Sequence, residues 1–138
     1  MWWTYALLSA VFAALTAILA KVGVKGIDSN TATAIRTSVV LVLAWGVVAL
    51  QGNLATVAAI SRNSFTFLVL SAVATGASWL FYFKALQLGP ASLVSAVDKS
   101  SLALTLLLAA LVLGEALTLR TAIGCALIIA GTAVIVWP

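Results

Sequence analysis

No histidine occurs in the chain, and charge is scarce: seven lysines and arginines and three acids among 138 residues. Without an imidazole, the serines lack the commonest activating base for nucleophilic chemistry. Asp98 and Glu115 are not a paired-carboxylate site either, because a whole apolar run separates them. The single cysteine, Cys125, excludes an intramolecular disulfide and reads as a small packing residue. No Cys/Asp/Glu cluster has metal-ligand spacing. The net charge of +4 is scattered over helix ends rather than gathered on one face, which argues against nucleic acid as a partner. Together these absences leave no catalytic residue, metal site or cofactor to expect.

What is present is hydrophobicity. Apolar residues make up 64% of the chain and charged ones 7%, where a soluble domain carries about 25% charged residues. The mean hydropathy is +1.26. This composition predicts an all-α integral membrane protein whose first partner is the lipid bilayer. A spanning helix needs roughly 20 mostly apolar residues, and five stretches qualify: about Trp2–Ala20, Thr31–Leu50, Phe65–Leu86, Ala91–Leu113 and Leu119–Trp137. Turn chemistry separates them. Ser29 or Asn30 is placed to cap the second helix, Gly89-Pro90 divides the third from the fourth, and Thr118 is placed to cap the fifth. Leu54–Ile60, in the one longer loop, suits the membrane interface. The runs are too long, and alternate too little, for barrel strands. No basic residue precedes the first run and its apolar stretch is long, so it is expected to be a retained span rather than a signal peptide. The reading is one five-helix domain over residues 1–138.

Five spans place the termini on opposite sides. Lys21, Lys25, Arg36 and Lys84 fall toward one side, Arg62 and Arg120 toward the other. This four-to-two bias favours an outside N-terminus but is small enough to permit insertion both ways.

Four charges lie within the predicted helices: Arg36, Lys84, Asp98 and Lys99. At 1.5 Å per residue, Arg36 is about 9 Å beyond Asn30, Asp98 about 12 Å and Lys99 about 13 Å beyond Pro90, and Lys84 about 6 Å before Leu88. All four are expected in one leaflet, facing protein or water rather than acyl chains. One reading is a positive cavity for an anionic group, with Lys99 as its deepest cation. The other is internal pairing, such as Asp98 with Arg36, with Lys84 snorkelling. Lys99 is too deep to snorkel easily, and on a regular helix Asp98 points about 100° away from it.

Ser71, Thr75, Ser78 and Tyr82 share one face of the third helix, Ser92, Ser95 and Lys99 one face of the fourth, and Tyr5, Ser9 and Thr16 one face of the first. Such stripes either line a polar path or hydrogen-bond packed helices together. Three stripes with a deep lysine favour the path, and the expected substrate-binding set is Lys99, Arg36, Asp98, Ser71, Thr75, Ser78, Tyr82 and Ser95. On the fifth helix Gly124 and Gly131 form a small-residue face, suited to packing within the chain or between subunits.

The segment Leu113-Gly-Glu-Ala-Leu-Thr-Leu-Arg-Thr-Ala-Ile-Gly-Cys-Ala-Leu-Ile-Ile-Ala-Gly-Thr132 resembles the closing signature of the EamA family, in the drug/metabolite transporter superfamily. Tyr82-Phe-Lys-Ala-Leu-Gln-Leu-Gly-Pro-Ala91 resembles its helix-loop-helix junction, and Ala20-Lys-Val-Gly-Val-Lys with Arg36-Thr37 its first hairpin. Typical members carry ten helices as two five-helix repeats of opposite orientation. This chain holds one repeat and is similar to the short five-helix branch of bacteria and archaea. The resemblance implies a secondary transporter of a small metabolite in the cytoplasmic membrane, working as an antiparallel homodimer with its site near the midplane. The excess of embedded cations favours amino acids or other carboxylates. Small multidrug exporters of the same superfamily rely on a glutamate in the first helix, and Trp2–Ala20 contains no acid. The alternatives are such a drug exporter or a membrane subunit that assembles with a partner without transporting.

Overall fold

The computed structural model describes residues 1–137. It is all-α, with no strand among the described residues. Helices α1 (Trp2–Gly23), α2 (Ser29–Leu50), α3 (Arg62–Leu88), α4 (Ala91–Asp98), α5 (Ser101–Val112) and α6 (Leu119–Val136) follow in order, with a 3-10 segment, Asn53–Ala59, between α2 and α3. Among these residues five helical runs are long and apolar enough to cross a membrane, with α4 and α5 together making the fourth, Ala91–Val112.

The helix ends follow local chemistry. Asp28, rather than Ser29 or Asn30, caps α2: its carboxylate accepts from the N–H groups of Asn30 and Thr31 at 2.9 and 3.0 Å. Aspartate outranks its neighbours because it adds a negative charge at the positive end of the helix. Thr118 caps α6 as expected, accepting from the Thr121 N–H at 3.2 Å. After α2 the chain turns at Gly52 with φ +72°, where its N–H returns to the Ala49 carbonyl. Only glycine takes that left-handed conformation without steric cost.

The described chain forms two compact units, one of Met1–Ile18 with the chain from Leu88 onward, the other Leu19–Gln87. In the second, Val24, Ala32 and Phe83 form a small core with Ala20 and Tyr82 against it. The Lys21 ammonium donates to the Leu86 carbonyl, and the Gln87 amide donates to the Ile27 carbonyl at 3.0 Å. The first turn is thus clasped to the end of α3. In the other unit α6 packs along both α4 and α5. No residue of α4, α5 or α6 is fully buried. Many leucine, isoleucine and valine side chains are exposed along every span, as lipid contact requires, with Leu86 of α3 a buried exception.

The fourth span departs from expectation. The predicted helix Ala91–Leu113 is interrupted at Lys99-Ser100. The run Asp98-Lys-Ser-Ser101 puts polar groups on successive positions, so no single helix face can shelter all of them.

Candidate functional site

The interruption is a tightening of the helix rather than a loss of it. Lys99 and Ser100 keep right-handed helical dihedrals, φ −67°, ψ −14° and φ −62°, ψ −19°. The ladder, however, shifts to i→i+3 bonds. Ser100 N–H donates to the Val97 carbonyl at 2.9 Å, Leu102 N–H to Lys99 at 3.1 Å and Ala103 N–H to Ser100 at 3.1 Å. The Lys99 N–H is shared between the Ser95 and Ala96 carbonyls at 3.3 and 3.2 Å. A 3-10 stretch inside a helix commonly marks a functional hinge. Here α6 braces it: the Thr132 hydroxyl donates to the Ala96 carbonyl at 3.2 Å, in a partly buried contact. Ser100 would be that carbonyl's partner in a regular helix, but its N–H goes to Val97 instead.

At this turn Lys99 Nζ lies 3.4 Å from Asp98 Oδ2. The regular-helix expectation that Asp98 points away is therefore corrected. The flexible lysine stem reaches back to its neighbour, even though 3-10 winding turns successive residues about 120° apart. The pair is open, with 64% of the Lys99 side chain and 41% of the Asp98 side chain exposed. It sits inside an otherwise apolar span, where an uncovered charge is costly. Ser95, one turn before Lys99, is half-buried.

Arg36, in the other unit, has a different partner from the Asp98 considered above. Its guanidinium stacks 4.2 Å from the centre of the Trp79 ring and 5.5 Å from that of Phe83. The two rings are four residues apart on α3, so they present one aromatic face to α2. Tyr82 meets Phe83 edge-on at 6.4 Å. Lys84 bonds the Gln87 side chain at 3.3 Å, in keeping with a helix-end role.

Ser71, Thr75 and Ser78 are exposed on α3, and the Thr75 hydroxyl donates to the Ser71 carbonyl of its own helix at 2.9 Å. A groove of about 340 Å³ runs between α2 and α3 beside Gly76. The hydroxyls of Thr33, Thr37 and Ser38 along it donate to carbonyls one turn back, which leaves its wall largely apolar. A Cβ placed on Gly124 or Gly131 would meet no atom within 4 Å, so packing inside the described chain does not account for their small size.

Sequence reasoning missed three features: the helix break, its brace from Thr132, and the Arg36–Trp79 stack. The first had a visible signal in the polar quartet Asp98–Ser101. The other two join residues distant in sequence.

Five apolar spans among the described residues define a multi-pass membrane protein. The chain belongs to the EamA family: the EamA-like transporter family model matches residues 1–137. It is 48% identical over 130 residues to a Sinorhizobium protein named "Uncharacterized transporter in cobO 3'region", a match spanning 94% of this chain and 92% of that relative. No solved structure matches the chain.

The brace can be tested by Thr132→Val, which keeps the shape and removes the donor. We expect a stability loss of about 0.6–1.5 kcal/mol in detergent unfolding. No measurable change would mean that the Ala96 carbonyl does not depend on Thr132.

Proposed function

We propose that this transporter moves a small carboxylate-bearing metabolite, amino acids included, by alternating access in an antiparallel homodimer of the cytoplasmic membrane. In this reading the chain is one transmembrane repeat, and two copies in opposite orientation supply the two halves of the path. The observation that carries it is the open Asp98–Lys99 pair at a helix break inside the fourth span. Discontinuous helices near the bilayer midplane are where secondary transporters bind substrates and ions. Lys99 lies about 13 Å into its span by helical rise, close to the middle of a 30 Å core. An ammonium there must meet water, protein or substrate, and a carboxylate is the complementary group. Ser95 is proposed as a further wall position beside Lys99, and Arg36, Ser71, Thr75, Ser78 and Tyr82 are proposed as substrate contacts within their own unit.

The second copy is supported by two observations. Five helices are few to enclose a path, and the Gly124/Gly131 face of α6 has no neighbour to explain it. Closed two-fold pairs are also the commonest homo-oligomers.

Lys99→Ala is expected to reduce carboxylate uptake into proteoliposomes about 10- to 100-fold, the equivalent of one lost charge-assisted bond. Unchanged uptake would remove Lys99 from the site. Orientation is tested separately, by fusing the C-terminus to one reporter active only in the cytoplasm and to another active only outside. The antiparallel pair requires both fusions to be active, and activity of the cytoplasmic reporter alone would exclude it.

A further inference from the structure

We infer that Asp98 is the coupling site of this transporter: it takes up a proton when a substrate carboxylate replaces it at Lys99. The inference rests on the carboxylate reading above and deepens it by assigning the coupling ion. Asp98 is the only acid inside the five described spans, because Asp28 caps α2 from the first loop and Glu115 precedes α6. Proton coupling through a span carboxylate therefore has one candidate. Its recorded partner is the Lys99 ammonium. Facing it from α6, the helix packed against α4, there is no acid; α6 brings only Arg120 in its first turn and Cys125. The part of α1 in the same unit brings Tyr5 and the terminal amine, and α5 brings no titratable side chain.

Three features make the pair exchangeable. The 3.4 Å separation is longer than the roughly 2.8 Å of a strong charge-assisted bond. Both side chains are open to approach from outside the chain. The i→i+3 turn that carries them is a local irregularity that a small backbone adjustment can tighten or relax.

The exchange balances in charge. Before it, Lys99 is neutralised by the Asp98 carboxylate. An arriving substrate carboxylate takes that place, and a proton from water binds the displaced Asp98 oxygen. For a monocarboxylate, one negative charge and one positive charge enter together, so the embedded site gains no net charge. Entry of the substrate alone would leave two carboxylates beside one ammonium, and each like charge disfavours ionisation of the other. Proton and substrate are thereby coupled at a site of two residues.

The test begins with wild-type protein and a thermal-shift panel of the common amino acids with acetate, lactate, succinate and malate. Calorimetry then follows the best binder in two buffers of different ionisation heat. About one proton should be taken up per carboxylate bound, and apparent affinity should fall as the pH is raised. Asp98→Asn should bind with little proton uptake and a flat pH profile, whereas Asp98→Glu should keep both dependences. If Asp98→Asn does not fold, infrared difference spectra of wild-type protein with isotope-labelled ligand decide, because a protonated protein carboxyl must appear on binding. Binding by wild type without proton uptake, or equal uptake by Asp98→Asn, would overturn the coupling role and leave the carboxylate reading standing. If no carboxylate in the panel binds wild type, the carboxylate reading itself falls and this inference falls with it.

Discussion

Hydrocarbon offers no water to hydrogen-bond, so every polar group placed within a span must find its partner in protein. That constraint organises this chain. Backbone groups are satisfied by helix, and hydroxyls fold back onto their own helices: Thr16 donates to Phe12, Thr37 to Thr33, Thr66 to Arg62 and Thr105 to Ser101. Cations follow the same rule by other means. Lys21 takes a carbonyl at the end of α3, and Arg36 lies against the Trp79 ring, whose negative face suits a guanidinium. Against this background the open pair at Asp98 and Lys99 stands apart, because its surroundings within the chain leave much of it uncovered.

The same constraint explains why so little of the protein is core. In lipid the acyl chains solvate leucine and valine as well as a protein interior does, so packing must come from shape and a few polar contacts. One small cluster around Phe83 and the clasp of Gln87 on Ile27 hold the first hairpin to α3. In the other unit the Thr132 contact joins α6 to α4 at the break. The described contacts thus gather at helix ends in one unit and at the helix break in the other, and no atom lies within 4 Å of where a Cβ on Gly124 or Gly131 of α6 would stand.

The spans were legible because twenty-residue apolar runs have few other interpretations, and the caps at Thr118 and near Asp28 follow from short-range chemistry. Family membership was legible in the closing segment from Leu113 to Thr132. The break at Lys99 was not anticipated, because apolar periodicity continues through it and only the density of polar residues betrays it. Arg36 has a partner 43 positions away, at Trp79, chosen by how α2 and α3 meet. No local pattern encodes such a contact, so the sequence offered Arg36 only a place in a positive cavity or a pair with Asp98. The substrate-site residues on α3 were read from a face, and a face alone does not say what it meets.

The central claim is that the break in the fourth span opens to a water-filled, substrate-accessible path. Cysteine accessibility measures this directly, in a Cys125→Ser background, with Lys99→Cys as the probe position and Leu104→Cys as a lipid-facing comparison. In intact membranes a membrane-impermeant thiol reagent should label the cysteine at position 99 and not the one at 104. If position 99 is as unreactive as position 104 in protein that remains folded, the path does not pass Lys99 and the account is contradicted.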